Sequence, residues 1–171
     1  MLVFIDVEAS SLKNGFPIEV AWCAADLKSA ASYLIRPEPA WWDRFAWTAE
    51  AEGLHGLDRA ILQDRGVPAA QVVEHLLADL TGADVQSDNP AFDRGWLSVL
   101  FGQDPPFPIG QTQPAGAAML SSDIGLRKHR ALDDAVALAM AFKAFGTDHQ
   151  HLGPDSAEAM GRALLKRYGR G

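Results

Sequence analysis

The hydrophobic pattern of this chain predicts strands first and helices later. Residues 2 to 8 read LVFIDVE, so Leu2, Phe4, Asp6 and Glu8 share one face of a strand while Val3, Ile5 and Val7 share the other. A strand that is apolar on both faces belongs at the centre of a sheet and is covered on both sides. The turn-rich stretch around Ser10, Ser11, Asn14, Gly15 and Pro17 follows. IEVAWCA then alternates as a second strand, and SYLIRP forms a third across a short turn near Asp26 to Ser29. Strands joined this closely predict an antiparallel meander.

The second half changes period. Residues 38 to 57 are dense in aromatics without a clean repeat and predict one short helix. Pro68 to Leu80 has an apolar stripe of Ala69, Val72, Val73, Leu76, Leu77 and Leu80, with Gly82 just beyond its end. ADVQ reads as a short strand. The next helix has Asn89 as cap and Pro90 at its first position. The Pro-rich connection after it holds only an edge strand, around Phe107 to Ile109. Residues 110 to 128 read as a loop with room for a short helix, HRALDDAVALAMAFKAF as a strong helix, and Asp155 to Tyr168 as a last one. This order predicts an α/β fold, a mixed five-stranded sheet flanked by helices.

Against this pattern Asp6 and Glu8 are out of place, because neighbouring carboxylates that leave water repel each other and lose solvation unless a proton or a cation intervenes. The expectation is a pair of divalent metals. Asp93 lies one turn into the Asn89 helix, in line with Leu97 and Leu100. Asp134 lies in the first turn of a later helix, in line with Leu138, Ala141 and Phe145. First-turn acids commonly complement the helix dipole, which accounts for Asp88 and Asp133. It does not account for acids aligned with apolar stripes. His129 precedes Asp134 by five positions, roughly 140° around a helix. It shares a working site with Asp134 only from a loop ahead of the helix, where it can act as a general base.

Composition narrows the classes. With 171 residues, 48% hydrophobic and 22% charged, the chain fits one globular domain over residues 1–171. A net charge of −7 argues against a long nonspecific grip on duplex nucleic acid but leaves room to hold a single strand end. Cys23 is the sole cysteine and sits in an apolar strand, so it reads as a small buried residue. The opening run is broken by Asp6 and has no basic flank, unlike a secretory leader, and no stretch is apolar enough to span a membrane. The expectation is a soluble cytoplasmic protein.

Three stretches together resemble the DEDDh subgroup of 3′-to-5′ exonucleases, the superfamily of the proofreading subunit of bacterial replicative polymerase, ribonuclease T and oligoribonuclease. FIDVEASSL is similar to the family's first motif, an apolar strand ending in Asp-x-Glu. DNPAFDRGWL is similar to the second, with its Asp at Asp93. HRALDDA is similar to the third, His, four residues, Asp, which selects His129 and Asp134. Two departures stand out: Ala9, Ser10 and Ser11 replace the usual Thr-Thr-Gly, and Asp88 takes a place often held by His.

The resemblance implies a ribonuclease H-like fold and two Mg²⁺ or Mn²⁺ ions held by Asp6, Glu8, Asp93 and Asp134, with His129 as base. It implies activity at neutral to alkaline pH, since the base must be unprotonated. It also implies that Ser10, Ser11, Leu12, His55, Asn89 and Phe92 meet the terminal nucleotide of a single-stranded 3′ end. Some relatives are homodimers, and the Trp segment or the C-terminal helix offers a surface for that here.

Trp41, Trp42, Phe45 and Trp47 either stack on bases or cover the core, the commoner fate of such rings. Arg127, Lys128 and Arg130 could meet phosphates, with Lys166, Arg167 and Arg170 as a second patch. His149 and His151 read as a polar loop, and His75 carries no signal. The leading expectation is a metal-dependent exonuclease releasing nucleoside 5′-monophosphates from single-stranded DNA or RNA. The competing ones are an oligoribonuclease, a catalytically idle nucleic-acid-binding domain and a metal-dependent phosphatase.

Overall fold

The computed structural model describes residues 1–112, 129–145 and 154–168. Strands β1 (Leu2–Ala9), β2 (Pro17–Ala24) and β3 (Ala30–Arg36) form the antiparallel meander that the alternation predicts. Short helices α1 (Trp41–Arg44), α2 (Ala49–His55) and α3 (Arg59–Arg65) lead to β4 (Val67–Pro68), helix α4 (Ala69–Leu80), β5 (Asp84–Ser87), α5 (Pro90–Phe101), β6 (Ile109–Gln111), α6 (Ala131–Phe145) and α7 (Pro154–Tyr168). The six strands lie in the order β4-β3-β2-β1-β5-β6. β5 runs parallel to β1, β6 parallel to β5, and β4 parallel to β3.

The sheet has six strands rather than five, because Val67 and Pro68 pair with Ile35 and Arg36. Two residues are too few to show a period in sequence. The edge strand β6 lies at Ile109–Gln111, later than the Phe107–Ile109 stretch, as the prolines at 105, 106 and 108 cannot donate to a ladder. In place of one helix over residues 38 to 57 there are two, and α3 follows outside that range. Thr48 caps α2 by accepting the Ala51 N–H, and Asp58 caps α3 by accepting the Ile61 N–H. The aromatics there are core cover: Phe16 is fully buried, with ring centroids of Trp41, Trp42, Phe45 and Trp47 at 5.7, 5.1, 6.4 and 6.1 Å.

Each face of β1 has its own core. Val3, Ile5 and Val7 pack with Val20 and Trp22 of β2 and with α4 and α5. Phe4 packs with Ala21 and Cys23 of β2 and with the alanine-rich face of α6. Cys23 is fully buried, and burial pushes its thiol up to about 12, which makes it a poor nucleophile. On the first face the Asp79 carboxylate accepts the Trp22 indole N–H at 2.9 Å and the Tyr33 hydroxyl at 2.7 Å, fastening α4 to the meander. His75, silent in the sequence, stacks on the Tyr33 ring at 5.2 Å.

Phe16 ties the loop after β1 to the aromatic segment, so removing its ring should be costly. Phe16→Ala is expected to lower unfolding stability by about 3–5 kcal/mol in a denaturant titration. A loss below about 1 kcal/mol would show that the segment packs independently of Phe16.

Candidate metal centre and active site

The carboxylates gather where β1 leaves the sheet. Asp6 and Glu8 continue the Phe4 row, facing α6, and their partners across the strand pair are Ala21 and Glu19. The β1–β2 register shifts after Glu8, so Ala9 opposes Pro17. Such a bulge bends a strand and re-aims the side chains beside it. The chain then turns tightly: Ser10 N–H donates to the Phe16 carbonyl at 2.9 Å, and a Cβ on Gly15 would collide with the Ser11 backbone.

α6 brings Asp134. Asp6, Glu8 and Asp134 can each present an oxygen such that all three lie within 4.8 Å of one another, a spacing that fits one divalent cation. The donor set is all hard oxygen, which suits Mg²⁺ or Mn²⁺. Asp93 stands outside that trio yet belongs to the cluster electrically. β5 pairs with β1 only as far as Phe4, and beyond that point Asp93 hydrogen-bonds to the backbone of Val7. Buried Ser87 donates its hydroxyl to Asp93 and accepts the Asn89 N–H at 2.8 Å.

The electrostatics record the crowding. Burial first, then the charges of Asp93, Asp134 and Glu8, hold Asp6 well above the usual carboxylate range. Glu8 is pushed up to about 8 by burial and then by Asp134. Asp93 is raised to about 7, with burial outweighing the relief from the Ser87 hydroxyl. Asp134 is raised to about 6, again by burial, against a hydrogen bond from the His129 backbone.

His129 lies ahead of α6, which starts at Ala131 rather than at the histidine. Its ring is exposed, its φ is 62°, and its N–H donates to Asp134 at 2.9 Å. Two residues hold this corner together, Glu19, which the sequence reading did not place, and Arg130, which it placed on phosphate. Glu19, 3% exposed, accepts the Arg130 guanidinium through both carboxylate oxygens at 2.9 and 3.0 Å. Arg130 is therefore turned into the fold and is not free for phosphate. The only sequence signal for Glu19 was a lone charge in a strand whose every residue is buried.

The remaining candidates divide. Ser10 and Ser11 are buried, and their hydroxyls donate to the carbonyls of Ala46 at 2.7 Å and Lys13 at 3.0 Å. Only their backbone could meet a nucleotide. Asn89 precedes α5 but its side chain makes no capping bond; the Ser87 hydroxyl serves its N–H instead. Leu12 is 60% exposed, and Leu54, which the sequence reading passed over, is 55% exposed. Phe92 is 37% exposed and stacks on Trp96 with centroids 5.4 Å apart. His55 is buried, and its Nδ1 accepts the Leu57 N–H at 3.0 Å. Burial lowers its pKa, leaving a neutral ring whose Nε2–H has no partner among the described residues.

A groove of about 830 Å³ starts at Glu19, Arg130 and Leu57 and reaches Arg65, Tyr33 and Tyr168. It adjoins the carboxylates without containing them. Lys166 and Arg167 are exposed on α7, whereas Arg127, Lys128, His149, His151 and Arg170 lie outside the described residues.

Among solved structures, the chain is similar to E. coli exonuclease I in complex with single-stranded DNA and zinc. That match has 15% identity and a TM-score of 0.54, covering 99% of this chain and 41% of that one. The product-bound form of exonuclease I matches at 16% identity and a TM-score of 0.54, covering 98% and 43%. S. pombe Pop2p in its Mg²⁺- and Mn²⁺-bound form matches at 11% identity and a TM-score of 0.61, covering 88% of this chain and 85% of that one. The chain has a ribonuclease H-like fold. It spans about two fifths of the exonuclease I chain. No family model and no curated protein sequence matches it. At such identities the likeness is one of fold. Among the described residues no helix is long and apolar enough to cross a membrane.

The raised pKa values set a stability profile with a definite sign. A carboxyl whose pKa is higher folded than unfolded binds its proton more tightly in the folded state, so its contribution is lost as pH rises through the folded value. Without divalent metal, the melting temperature should fall from about pH 4, the unfolded carboxylate range, through about pH 8, where Glu8 is ionising. Mn²⁺ should reverse that fall, most strongly at the upper end. Glu8→Gln should flatten the profile, and a wild-type profile already flat with and without Mn²⁺ would contradict the clustering.

Proposed function

We propose that this chain is a metal-dependent exonuclease that shortens single-stranded nucleic acid from the 3′ end and releases nucleoside 5′-monophosphates. The observation that carries the reading is the convergence of Asp6, Glu8 and Asp134, with Asp93 beside them, at the end of the central strand of a ribonuclease H-like fold. Within that class we read the chain as of the DEDDh subgroup it resembles, a reading that His129 beside this cluster supports. Solved neighbours with single-stranded DNA, and with Mg²⁺ and Mn²⁺, support the choice of substrate and ion.

The four carboxylates would hold two Mg²⁺ or Mn²⁺ ions, which supply Lewis acidity toward water and the leaving 3′ oxygen. The chain's own residues do the rest. His129 accepts the proton of the attacking water on its exposed imidazole, and its backbone bond to Asp134 keeps it beside the cluster. The Nε2–H of His55 has no partner among the described residues and lies beneath Trp47, and movement of that cover would let it donate to an acceptor oxygen on the terminal nucleotide. The stacked Phe92–Trp96 pair offers a ring face to a base, which any base satisfies. Leu12 and Leu54 give apolar cover to the sugar or base, and the loop holding Leu12 is bonded to the start of α2, which carries Leu54, through Ser10 and Thr48. The tyrosines and Arg65 of the groove suit the following nucleotides.

The test uses 5′-labelled single-stranded DNA and RNA, from dinucleotide to about twenty nucleotides, with Mg²⁺ or Mn²⁺. The wild type should give a ladder shortening from the 3′ end, and the preferred sugar and length name the subclass. Asp6→Ala should give none, and His129→Ala should lose about 10²–10⁴-fold in kcat. Intact substrates under every condition would turn the reading to an idle binding domain, and turnover of mononucleotides alone to a phosphatase.

A further inference from the structure

The least expected feature of the site corner is a buried charge in β2. Glu19 lies opposite Glu8 on the face that looks toward α6, in a strand with no exposed residue. Burying an ion pair is a poor route to stability, since apolar replacements often do as well, but it fixes geometry closely. Here both oxygens are used. Oε1 accepts Arg130 Nη2 at 2.9 Å, while Oε2 accepts Arg130 Nε at 3.0 Å and the Ala131 N–H at 3.1 Å. The fork of a guanidinium on a carboxylate is directional, so it fixes orientation as well as distance.

All three bonds end on residues 130 and 131, directly between His129 and Asp134. His129 has φ 62°, a left-handed conformation that a residue with a side chain adopts only when its surroundings impose it. On one side the His129 N–H is held by Asp134; on the other, Asp134 N–H returns to the Arg130 carbonyl at 3.0 Å. The imidazole and the Asp134 carboxylate are therefore both set by the backbone that Glu19 grips. Release of the grip would let His129 relax to negative φ and take its N–H off Asp134.

We propose that Glu19 and Arg130 form a latch from β2 to α6 that positions His129 and Asp134 against Asp6 and Glu8. Both are positioning residues, acting through others, and the proposal rests on the nuclease reading above. Its consequence for a metal is direct, because Asp134 is the one member of the trio that β1 does not supply.

The experiment compares wild type, Glu19→Ala, Arg130→Ala and the double variant in Mn²⁺ calorimetry, in kcat and KM on a labelled single strand, and in melting temperature. Each single variant should lose about 10- to 100-fold in Mn²⁺ affinity and in kcat with KM little changed, as groups that orient metal ligands do. The double variant should be no worse than either single one, since one device is removed. Val72→Ala, which opens the core on the opposite face, should melt lower while kcat and Mn²⁺ affinity stay at wild type. Should Glu19→Ala not fold, Glu19→Gln keeps an acceptor for Ala131 and tests the charge alone.

Variants that melt lower while kcat and Mn²⁺ affinity hold at wild type would overturn the latch and leave a structural bridge. If wild type binds Mn²⁺ but cleaves nothing, the nuclease reading falls and the Mn²⁺ affinities decide the latch by the same criterion. If wild type neither binds Mn²⁺ nor cleaves, both fall.

Discussion

The burial of carboxylates in one half-dry corner, with the repulsion that follows, is the constraint on which this structure turns. Four acids meet at the end of β1, and burial raises every one of them, joined by the charges of the cluster itself at Asp6 and Glu8, of Asp88 at Asp93, and of Asp133 and Asp88 at Asp134. A fold that only needed to be stable would separate these groups or neutralise them. This one crowds them by drawing on independent elements: Asp6 and Glu8 from the central strand, Asp93 from α5 on one face and Asp134 from α6 on the other. The tension stored at that point is what a divalent cation would relieve, so the unfavourable feature of the metal-free protein and its proposed chemistry are one fact.

The surrounding architecture reads as support for that corner. The register shift after Glu8 and the tight loop closed by Gly15 turn the chain out of the sheet directly after the second carboxylate. Ser87, at the end of β5, orients Asp93 and starts α5 in a single stroke. Glu19 receives the first residues of α6. On the far face, Asp79 fastens α4 to the meander through Trp22 and Tyr33, and the aromatic shell around Phe16 covers the loop after β1. Small residues help too: Ala21 opposite Asp6, and Ala131 and Ala135 on α6, let the helix lie close to the sheet.

Much of this was legible in sequence because it follows from local period. Asp6 and Glu8 had to share the Phe4 face, and Asp93 and Asp134 sat in line with apolar stripes, so they had to point inward. The meander and the helices from Ala69 and Pro90 followed from alternation, the spacing of apolar residues and Pro90 at a first helical position, though Asn89 does not cap. What escaped was non-local. In IEVAWCA, Glu19 looks like the polar member of a half-solvated strand, and its partner Arg130 is 111 positions away. Arg130 beside a histidine motif looked like a phosphate ligand for the same reason. β4 is too short to have a period, and α1 to α3 are too short for a stripe, leaving only caps such as Thr48 and Asp58 to mark them.

The central claim is that the trio at the end of β1 is a metal site. The most direct measurement is anomalous diffraction from a crystal soaked in Mn²⁺. The account predicts a peak bounded by Asp6, Glu8 and Asp134, within about 2.0–2.6 Å of their carboxylate oxygens, and its loss in Asp6→Ala. A well-ordered crystal with Mn²⁺ elsewhere, or nowhere, would contradict it.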